Sequence, residues 1–557
     1  MSLHPDELAQ LNTLIYQPEF QEACNQAFRK ARGKRISLGD VIASMPADGG
    51  DEWTTPDGYD ALRQAVSSDS RLSDLTVCDF TSPGVPVEGR TTQTSHCMAL
   101  TDGDGTLYVV YRGTDGDHGE WRDDFEGLNE PDTDSQRRAE AYLDEMIALY
   151  GGQHVVVTGH SKGGNKAQYV TVVDGRVDEC YSFDGQGFGN PFLRKYEERV
   201  AAVRGRIHAY NQEGDYVSAL MTPIAGDTHY TNGGSQAQGI TGLLQTLLRG
   251  DGNFQPSNHA PLNLFSSDTD LSLDLTGTRS DYSRTINDFT TWVSENVPAD
   301  VQALVIEFLS DCAEGRQSEA LDDPEKVAAL MAVLTRYPGT QRLLEQLAGT
   351  DGTNDGALAA SGVGTGVNAA AAVLVRLGCD SGIIATIVSA SNYAGRGAVA
   401  SPVGATGGGG EWARAYASAY ATDCARIDAH VAAGEQATTV QVRQSLVRDW
   451  SDEYKEKLLS IVQQVDEEEV WDPTHWDVWY RIESLGGGLT AENCQGDIDG
   501  YLRKQIDMNG VSAQKIEEAF QKAAELDGTM GTNASAVAES LDGATEALGQ
   551  ILGGGAQ

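Results

Sequence analysis

The stretch HVVVTGHSKGGNKAQYV, residues 154–170, constrains the fold more than any other part of the sequence. It starts as a β-rich run and continues, across several glycines, into residues that favour a helix. Residues 159–163 read G-H-S-K-G and fit the G-x-S-x-G template, in which a strand turns sharply into a helix and leaves the serine at the apex. The alternative is an ordinary glycine-rich turn whose serine, Ser161, only caps the helix.

Strand and helix patterns alternate around this turn, from about residue 36 to residue 290. HCMAL and TLYVVYRG flank the turn signal DGDG, which predicts a hairpin ending at Gly113. Helices are predicted at 135–150 and 162–173, and strands at HVVVT, ECYSF and RIHAYN. Strands that alternate with helices indicate a mainly parallel sheet covered on both faces. The predicted fold class is therefore α/β, followed by a mostly helical C-terminal region.

The β pattern fades beyond about residue 300, where apolar residues recur at helical spacing. Residues 356–410 are rich in small side chains, and three interpretations stay open: closely packed helices, a flexible connector, or a membrane-active hairpin. The predicted organisation is a helical lead-in at 1–35, an α/β domain at 36–300, a helical Gly/Ala-rich region at 301–410 and a helical C-terminal region at 411–557.

Composition excludes several classes of function. The chain has 557 residues and a formal charge of -42, from 82 acidic and 40 basic residues, so we expect no nucleic-acid partner. The eight cysteines are scattered singly, which argues against a disulfide framework or a structural zinc site. The first residues, MSLHPDELAQLNTLIYQPEF, lack the features of a cleaved signal peptide. We expect a cytoplasmic protein, or one exported without such a signal.

A serine at such a turn becomes a nucleophile only if an imidazole takes its proton and a carboxylate orients that imidazole. In hydrolases with this turn, the acid and then the histidine follow the serine along the chain. Asp215, in the loop QEGDYVSAL after RIHAYN, is the favoured acid. Asp184, directly after the strand CYSF, is the alternative, although we expect it to brace the loop GQGFGN instead.

Two histidines follow Asp215 at positions where they could serve as the base. His259, in the turn-rich PSNHAPLNLF, is favoured, and His229 is the alternative. His154 and His208 belong to predicted strands and are interpreted as structural. The side chain of His160 is expected to diverge from that of its neighbour Ser161 at so sharp a turn.

A negative charge that develops on a substrate oxygen requires two hydrogen-bond donors. One is expected to be the backbone N–H of Lys162, directly after the serine. The other is expected from VVYRGTDGD, where Gly113 and Thr114 follow an earlier strand.

YRGTD, TGHSKGGNKA, SFDGQGFGN, RIHAYNQEGDYVSAL and NHAPLNLF resemble, in order and spacing, the landmarks of class 3 lipases and of related uncharacterised bacterial lipase-like α/β-hydrolases. The resemblance covers roughly residues 36–290. It implies Ser161, Asp215 and His259 as a catalytic triad, and Thr114 and the Lys162 N–H around the oxyanion. It also implies hydrolysis of a lipid or another small acylated ester, without metal or organic cofactor. Lys162 departs from the small or apolar residue that many lipases carry there.

Several questions of function stay open. ITGLLQTLLRG, between Asp215 and His259, is either a lid that touches a lipid surface transiently or a helix packed on the sheet. The helical C-terminal half is either an accessory domain that binds a helical partner or another copy, or an export region, as in the similar layout of type VII secreted lipase toxins. A catalytically silent scaffold on a hydrolase fold is the rival to an enzyme.

Overall fold

The computed structural model describes residues 3–31, 35–50, 54–81, 95–114, 120–232, 259–267, 269–313, 316–340, 342–343, 367, 370–371, 387–388, 391 and 411–432. By the contacts between its residues, the chain divides into two compact units, Met1–Asp428 and Ala429–Gln557. The ITGLLQTLLRG segment, most of the Gly/Ala-rich segment at 356–410 and the predicted helices beyond residue 432 lie outside the described residues.

One eight-stranded sheet forms the centre of the first unit, and its strands lie side by side in chain order. Strands β1 to β4 pair antiparallel, whereas β4 to β8 pair parallel. The predicted α/β fold, with its mainly parallel sheet, is confirmed. The strands are β1 (Ile36–Ser37), β2 (Thr76–Thr81), β3 (Cys97–Thr101), β4 (Thr106–Tyr111), β5 (His154–His160), β6 (Glu179–Phe183), β7 (Ile207–Gln212) and β8 (Asp227–Thr231).

Helices precede, connect and follow these strands. The helices of the α/β part are α1 (Pro5–Leu14), α2 (Pro18–Ala31), α3 (Leu38–Ser44), α4 (Pro56–Ser68), α5 (Ser70–Ser73), α6 (Glu120–Glu126), α7 (Asp134–Tyr150), α8 (Lys162–Val173) and α9 (Asn190–Val203). They are followed by α10 (Asp281–Asn296), α11 (Ala299–Ala313), α12 (Gln317–Asp322), α13 (Pro324–Arg336) and a helical segment at 411–432. The helical character predicted beyond residue 300 is thus present in the described residues.

Alternating side chains of the central strands feed two apolar cores, one on each face of the sheet. Tyr108 and Val156 point into the core on one face, which also contains apolar residues of α1, α3 and α4. Val109 and Val157 point into the core on the other face, together with residues of α7, α8 and α9. Burial on both faces explains why these strands are almost continuously apolar.

The N-terminal helix α1 is part of the sheet's cover. Leu8, Leu11 and Leu14 are fully buried in the first core. Asn12 donates a buried hydrogen bond of 2.7 Å to Thr158 Oγ1 in β5, and that hydroxyl donates to a backbone carbonyl of β6. The residues predicted as a helical lead-in are therefore fixed directly over the strand that precedes Ser161.

Two further findings concern the cysteines and the hydropathy of the helices. Of the eight cysteines, the six at described positions form no disulfide bond. No helix in the described part of the chain is both long enough and apolar enough to cross a membrane.

Candidate active site

Ser161 lies at the junction of β5 and α8 in a conformation that is rare for a residue with a side chain. Its φ is 62° and its ψ is -131°, and its N–H donates to the carbonyl of Phe183 at 2.9 Å. Ser161 occupies the N-cap position of α8, but its side chain makes no capping hydrogen bond. The backbone of Ser161 is therefore strained, and its hydroxyl does not cap the helix.

The two glycines of the G-x-S-x-G motif are needed for steric reasons. A Cβ on Gly159 would lie 2.1 Å from the backbone of Gly163, and a Cβ on Gly163 would lie 1.9 Å from the carbonyl oxygen of Tyr111. No side chain fits at either position unless the backbone moves. The two glycines thus allow the turn to pack closely against β4.

Asp215 and His259 form a buried pair. His259 Nδ1 lies 2.7 Å from Asp215 Oδ1, and the other carboxylate oxygen accepts the N–H of Ser218 at 2.6 Å. Asp215 is fully buried, and His259 is 4% exposed. A carboxylate at Nδ1 favours the tautomer with its proton there, which leaves a lone pair on Nε2. Nε2 is buried and has no hydrogen-bond partner within the described part of the chain.

His160 connects this pair to the turn. Its ring stacks on that of His259, with centroids 4.7 Å apart and planes at 29°. The stack therefore joins His259 to the residue that directly precedes Ser161. The ring of His160 thus contacts the candidate base, whereas we had expected it only to diverge from Ser161. Burial, and then the neighbouring His259, hold the pKa of His160 well below its ordinary value. A neutral ring there does not repel a positive charge on His259.

The alternative acid, Asp184, is fixed to β7 and makes no hydrogen bond to His259. Its Oδ1 accepts the backbone N–H of Gln212 at 2.7 Å and its Oδ2 accepts the side-chain amide at 2.6 Å. We expect Asp184 from the sequence to brace the loop GQGFGN, whereas these two hydrogen bonds join it to the next strand, β7. Burial, and then the nearby Asp215, raise the pKa of Asp184 well above its ordinary value.

The other histidines singled out from the sequence pair with surface acids. The alternative base, His229, is 2.9 Å from Asp227 Oδ2, and His208 is 2.7 Å from Asp227 Oδ1. Asp227 is half exposed. His154 lies near Asp178 and Glu179, in keeping with a structural role.

The predicted oxyanion loop packs directly against the serine. A Cβ on Gly113 would lie 2.8 Å from Ser161 Cβ. The hydroxyl of Thr114 donates to Asp124 Oδ2 at 2.7 Å. Lys162 is the first residue of α8, and an N–H at that position has no acceptor within its own helix. The amide of Lys162 is therefore available to a substrate oxygen.

The side chain of Lys162 is buried among acids. Its Nζ lies 3.0 Å from Asp123 Oδ1 and 3.3 Å from Asp124 Oδ1, and only 3% of the side chain is exposed. Burial disfavours the charged form, but the two carboxylates outweigh it and raise the pKa of Lys162. Against the cost of burial, Lys162 and the hydroxyl of Ser135 lower the pKa of Asp123, whereas burial dominates and raises the pKa of Asp124. These contacts explain why a lysine follows the serine.

Sequence reasoning missed three residues of this site. The adjacent Asp123 and Asp124 in EWRDDFE, together with the unusual Lys162, were a signal that could have been combined into an ion cluster. Tyr16, whose hydroxyl contacts both His160 and Gly113, carries no sequence signal.

One group of described side chains comes near to a metal-binding arrangement. His160, Asp184 and His259 are buried, and their ligand atoms lie within 4.8 Å of one another. Two ligands on a Zn²⁺ ion with bonds of about 2.1 Å are at most about 4.2 Å apart, so this set is looser than a formed site. An ion there would also occupy the free nitrogen of His259.

Comparison with family models finds similarity over the central part of the chain. The model of the Mbeg1-like family, a lipase-like family, matches residues 66–223. That range includes Ser161, Thr114, Lys162 and Asp215, and it ends before His259. No curated protein matches the chain. The match indicates a lipase-like hydrolase at the level of the family and names neither class 3 lipases nor type VII effectors.

Proposed function

We propose that this protein is a serine hydrolase that cleaves carboxylic esters of lipids or other acylated molecules. Ser161 is the nucleophile, His259 the general base, and Asp215 the acid that orients His259. The observation that carries the proposal is the buried His259–Asp215 pair, whose imidazole has an Nε2 without a hydrogen-bond partner among the described residues and stacks on His160, the residue before the strained Ser161.

The reaction follows from these positions. His259 Nε2 takes the proton of the Ser161 hydroxyl while its oxygen attacks the ester carbon. The substrate oxygen becomes negative and accepts hydrogen bonds from the N–H of Lys162 and from Thr114. The alcohol leaves with the proton from His259, and a water molecule activated by the same imidazole releases the acid. The carboxylate of Asp215 stabilises the imidazolium that forms in each half-reaction.

No hydrogen bond joins His259 Nε2 to Ser161 in the structure. Such bonds are often long in enzymes without substrate and tighten in the complex. Ser161 lies at the start of α8 and His259 lies in the loop before residue 261, so the two residues belong to different elements.

Labelling with a fluorophosphonate probe tests the proposal, because only an activated serine reacts. We expect the full-length protein to be labelled, and Ser161→Ala and His259→Ala to abolish labelling while far-UV circular dichroism stays unchanged. His229→Ala is the matched control, since its ring pairs with an exposed acid, and this variant should react like the wild type. An unlabelled wild type would favour the silent scaffold, and loss of labelling in His229→Ala alone would reassign the base.

The substrate class requires a second measurement. We propose a preference for esters over peptides and thioesters, which p-nitrophenyl esters of increasing acyl length, compared with peptide and thioester substrates, would reveal. A lid, contact with a lipid surface, a helical partner for the C-terminal region and export without a cleaved signal stay predictions.

A further inference from the structure

Tyr16, in the turn between α1 and α2, reaches the candidate site from a part of the chain that the family match does not cover. We propose that Tyr16 is a positioning residue: its hydroxyl holds the oxyanion loop and the residue before the nucleophile at a fixed separation. The inference rests on the proposed function of Ser161.

The hydroxyl of Tyr16 bridges two segments. It accepts the backbone N–H of Gly113 at 3.0 Å and lies 3.0 Å from His160 Nδ1. It also lies 3.4 Å from the carbonyl oxygen of His160. If Nδ1 carries no proton, the hydroxyl donates a hydrogen bond to it. If Nδ1 is protonated, the hydroxyl accepts a hydrogen bond from the Nδ1–H and donates one to the carbonyl oxygen. Either tautomer keeps the bridge between the oxyanion loop and the turn.

Packing around Gly113 shows how closely these groups meet. A Cβ on Gly113 would lie 2.4 Å from Tyr16 Oη, 2.8 Å from the carbonyl oxygen of His160 and 2.8 Å from Ser161 Cβ. The tyrosine hydroxyl, the oxyanion loop and the nucleophile therefore converge on one point. Because Tyr16 occupies the N–H of Gly113, that amide is not available to the substrate, and the N–H groups of Thr114 and Lys162 remain as candidate donors.

Several contacts hold the ring of Tyr16 in place. The guanidinium of Arg112 lies over it, 4.8 Å from the ring centroid, and the ring of His160 meets it edge-on at 5.4 Å. The helix before Tyr16 is anchored by the buried bond from Asn12 to Thr158. A hydroxyl fixed in this way adds preorganised geometry to the site, which matters most where charge develops in the transition state.

Tyr16→Phe tests the inference, because it removes only the hydroxyl and keeps the ring. Tyr59→Phe is the matched control, since Tyr59 is fully buried and its hydroxyl donates to the carbonyl of Pro46, 2.9 Å away. The measurements are kcat and KM on a p-nitrophenyl ester, the inhibition constant of an alkyl trifluoromethyl ketone, and the thermal midpoint. The Ser161 oxygen adds to the carbonyl carbon of the ketone, and the ketone oxygen then occupies the oxyanion position.

We expect Tyr16→Phe to lower kcat by about 10- to 100-fold and to change KM by no more than about twofold. The inhibition constant of the ketone should rise by about the same factor as kcat falls. Tyr59→Phe should keep wild-type kinetics. The inference is overturned if Tyr16→Phe retains kcat and ketone affinity, if only KM changes, or if both variants lose activity in proportion to a lower thermal midpoint. A wild type that the fluorophosphonate probe does not label would instead refute the proposed function, and the inference with it.

Discussion

Replacement of Lys162 by methionine tests the buried ion cluster behind the nucleophile. Lys162→Met keeps the backbone N–H and most of the side chain, but removes the ammonium that lies 3.0 Å from Asp123 and 3.3 Å from Asp124. Removal of one partner from a buried ion pair costs about 3–5 kcal/mol of unfolding free energy. We expect a loss of that size at neutral pH.

The loss should depend on pH in a defined direction. Without Lys162, one of the two carboxyls is expected to bind a proton in the folded protein, and Asp124 is the better candidate because burial already raises its pKa. The unfolded chain releases that proton near the ordinary aspartate pKa of about 3.9. Above that pH the folded variant binds one more proton than the unfolded chain, so its unfolding free energy falls by about 1.4 kcal/mol per pH unit until the carboxyl ionises.

Asp123 in the wild-type cluster has the opposite dependence on pH. The pKa of Asp123 is lowered in the folded protein, so its contribution is present above the ordinary aspartate range and is lost as the pH falls below about 4. The difference between wild type and variant should therefore be small near pH 4 and increase toward pH 8.

Urea unfolding at pH 4, 5, 6, 7 and 8, followed by far-UV circular dichroism, measures both effects. Lys195→Met is the matched control, because Lys195 is 46% exposed and its partner Asp132 also accepts hydrogen bonds from Tyr169 and Tyr196. We expect this variant to lose at most about 1 kcal/mol. The reasoning is refuted if Lys162→Met loses less than about 1 kcal/mol, or if its stability curve runs parallel to that of the wild type across this pH range.

Two further predictions follow from the buried acids and from a buried histidine. Asp215→Asn should lower kcat by up to about 10⁴-fold, because the histidine loses its orienting charge. Asp184→Asn should stay within about tenfold, because the carboxylate oxygens of Asp184 accept hydrogen bonds from Gln212 and not from His259. Equal losses in p-nitrophenyl ester hydrolysis would contradict this assignment. Burial and the nearby Arg112 lower the pKa of His96 to about 4, so its contribution to stability is complete above about pH 6.5 and is lost as the pH falls to about 4. Thermal unfolding should show wild type losing about 3 kcal/mol more over that window than His96→Gln, and superimposable curves would argue against it.

The central part of the fold could be predicted because its signals are local. HVVVT, ECYSF and RIHAYN are apolar runs bounded by turns, and each forms a strand at the expected place. The glycines at 159 and 163 mark the sharp turn for a steric reason that the structure makes explicit.

The sheet's outer strands were not predicted, because they lack that apolar signal. DTHYT, which forms β8, is short, and most of its side chains are exposed or half-buried. In TVCDFT, which forms β2, apolar and polar residues are mixed, and its pairing with β3 contains a register irregularity.

The contacts that complete the candidate site could not be predicted, because they join residues far apart in the chain. Tyr16 meets His160 across 144 positions, and the stack of His160 on His259 depends on where a distant loop returns to the sheet. Lys162 was noticed as unusual, but its acidic partners lie on α6, about 40 residues earlier, and a single sequence does not show which charges meet.

The sequential order of the strands has a consequence for biosynthesis. Because each strand from β2 to β8 lies beside the one that precedes it in the chain, its neighbour has already left the ribosome when it is synthesised. Pairing between successive strands keeps loop closure short, which favours rapid folding. Asp215 follows β7 and His259 follows β8, so a nascent chain can complete its sheet before it acquires the imidazole that would activate Ser161.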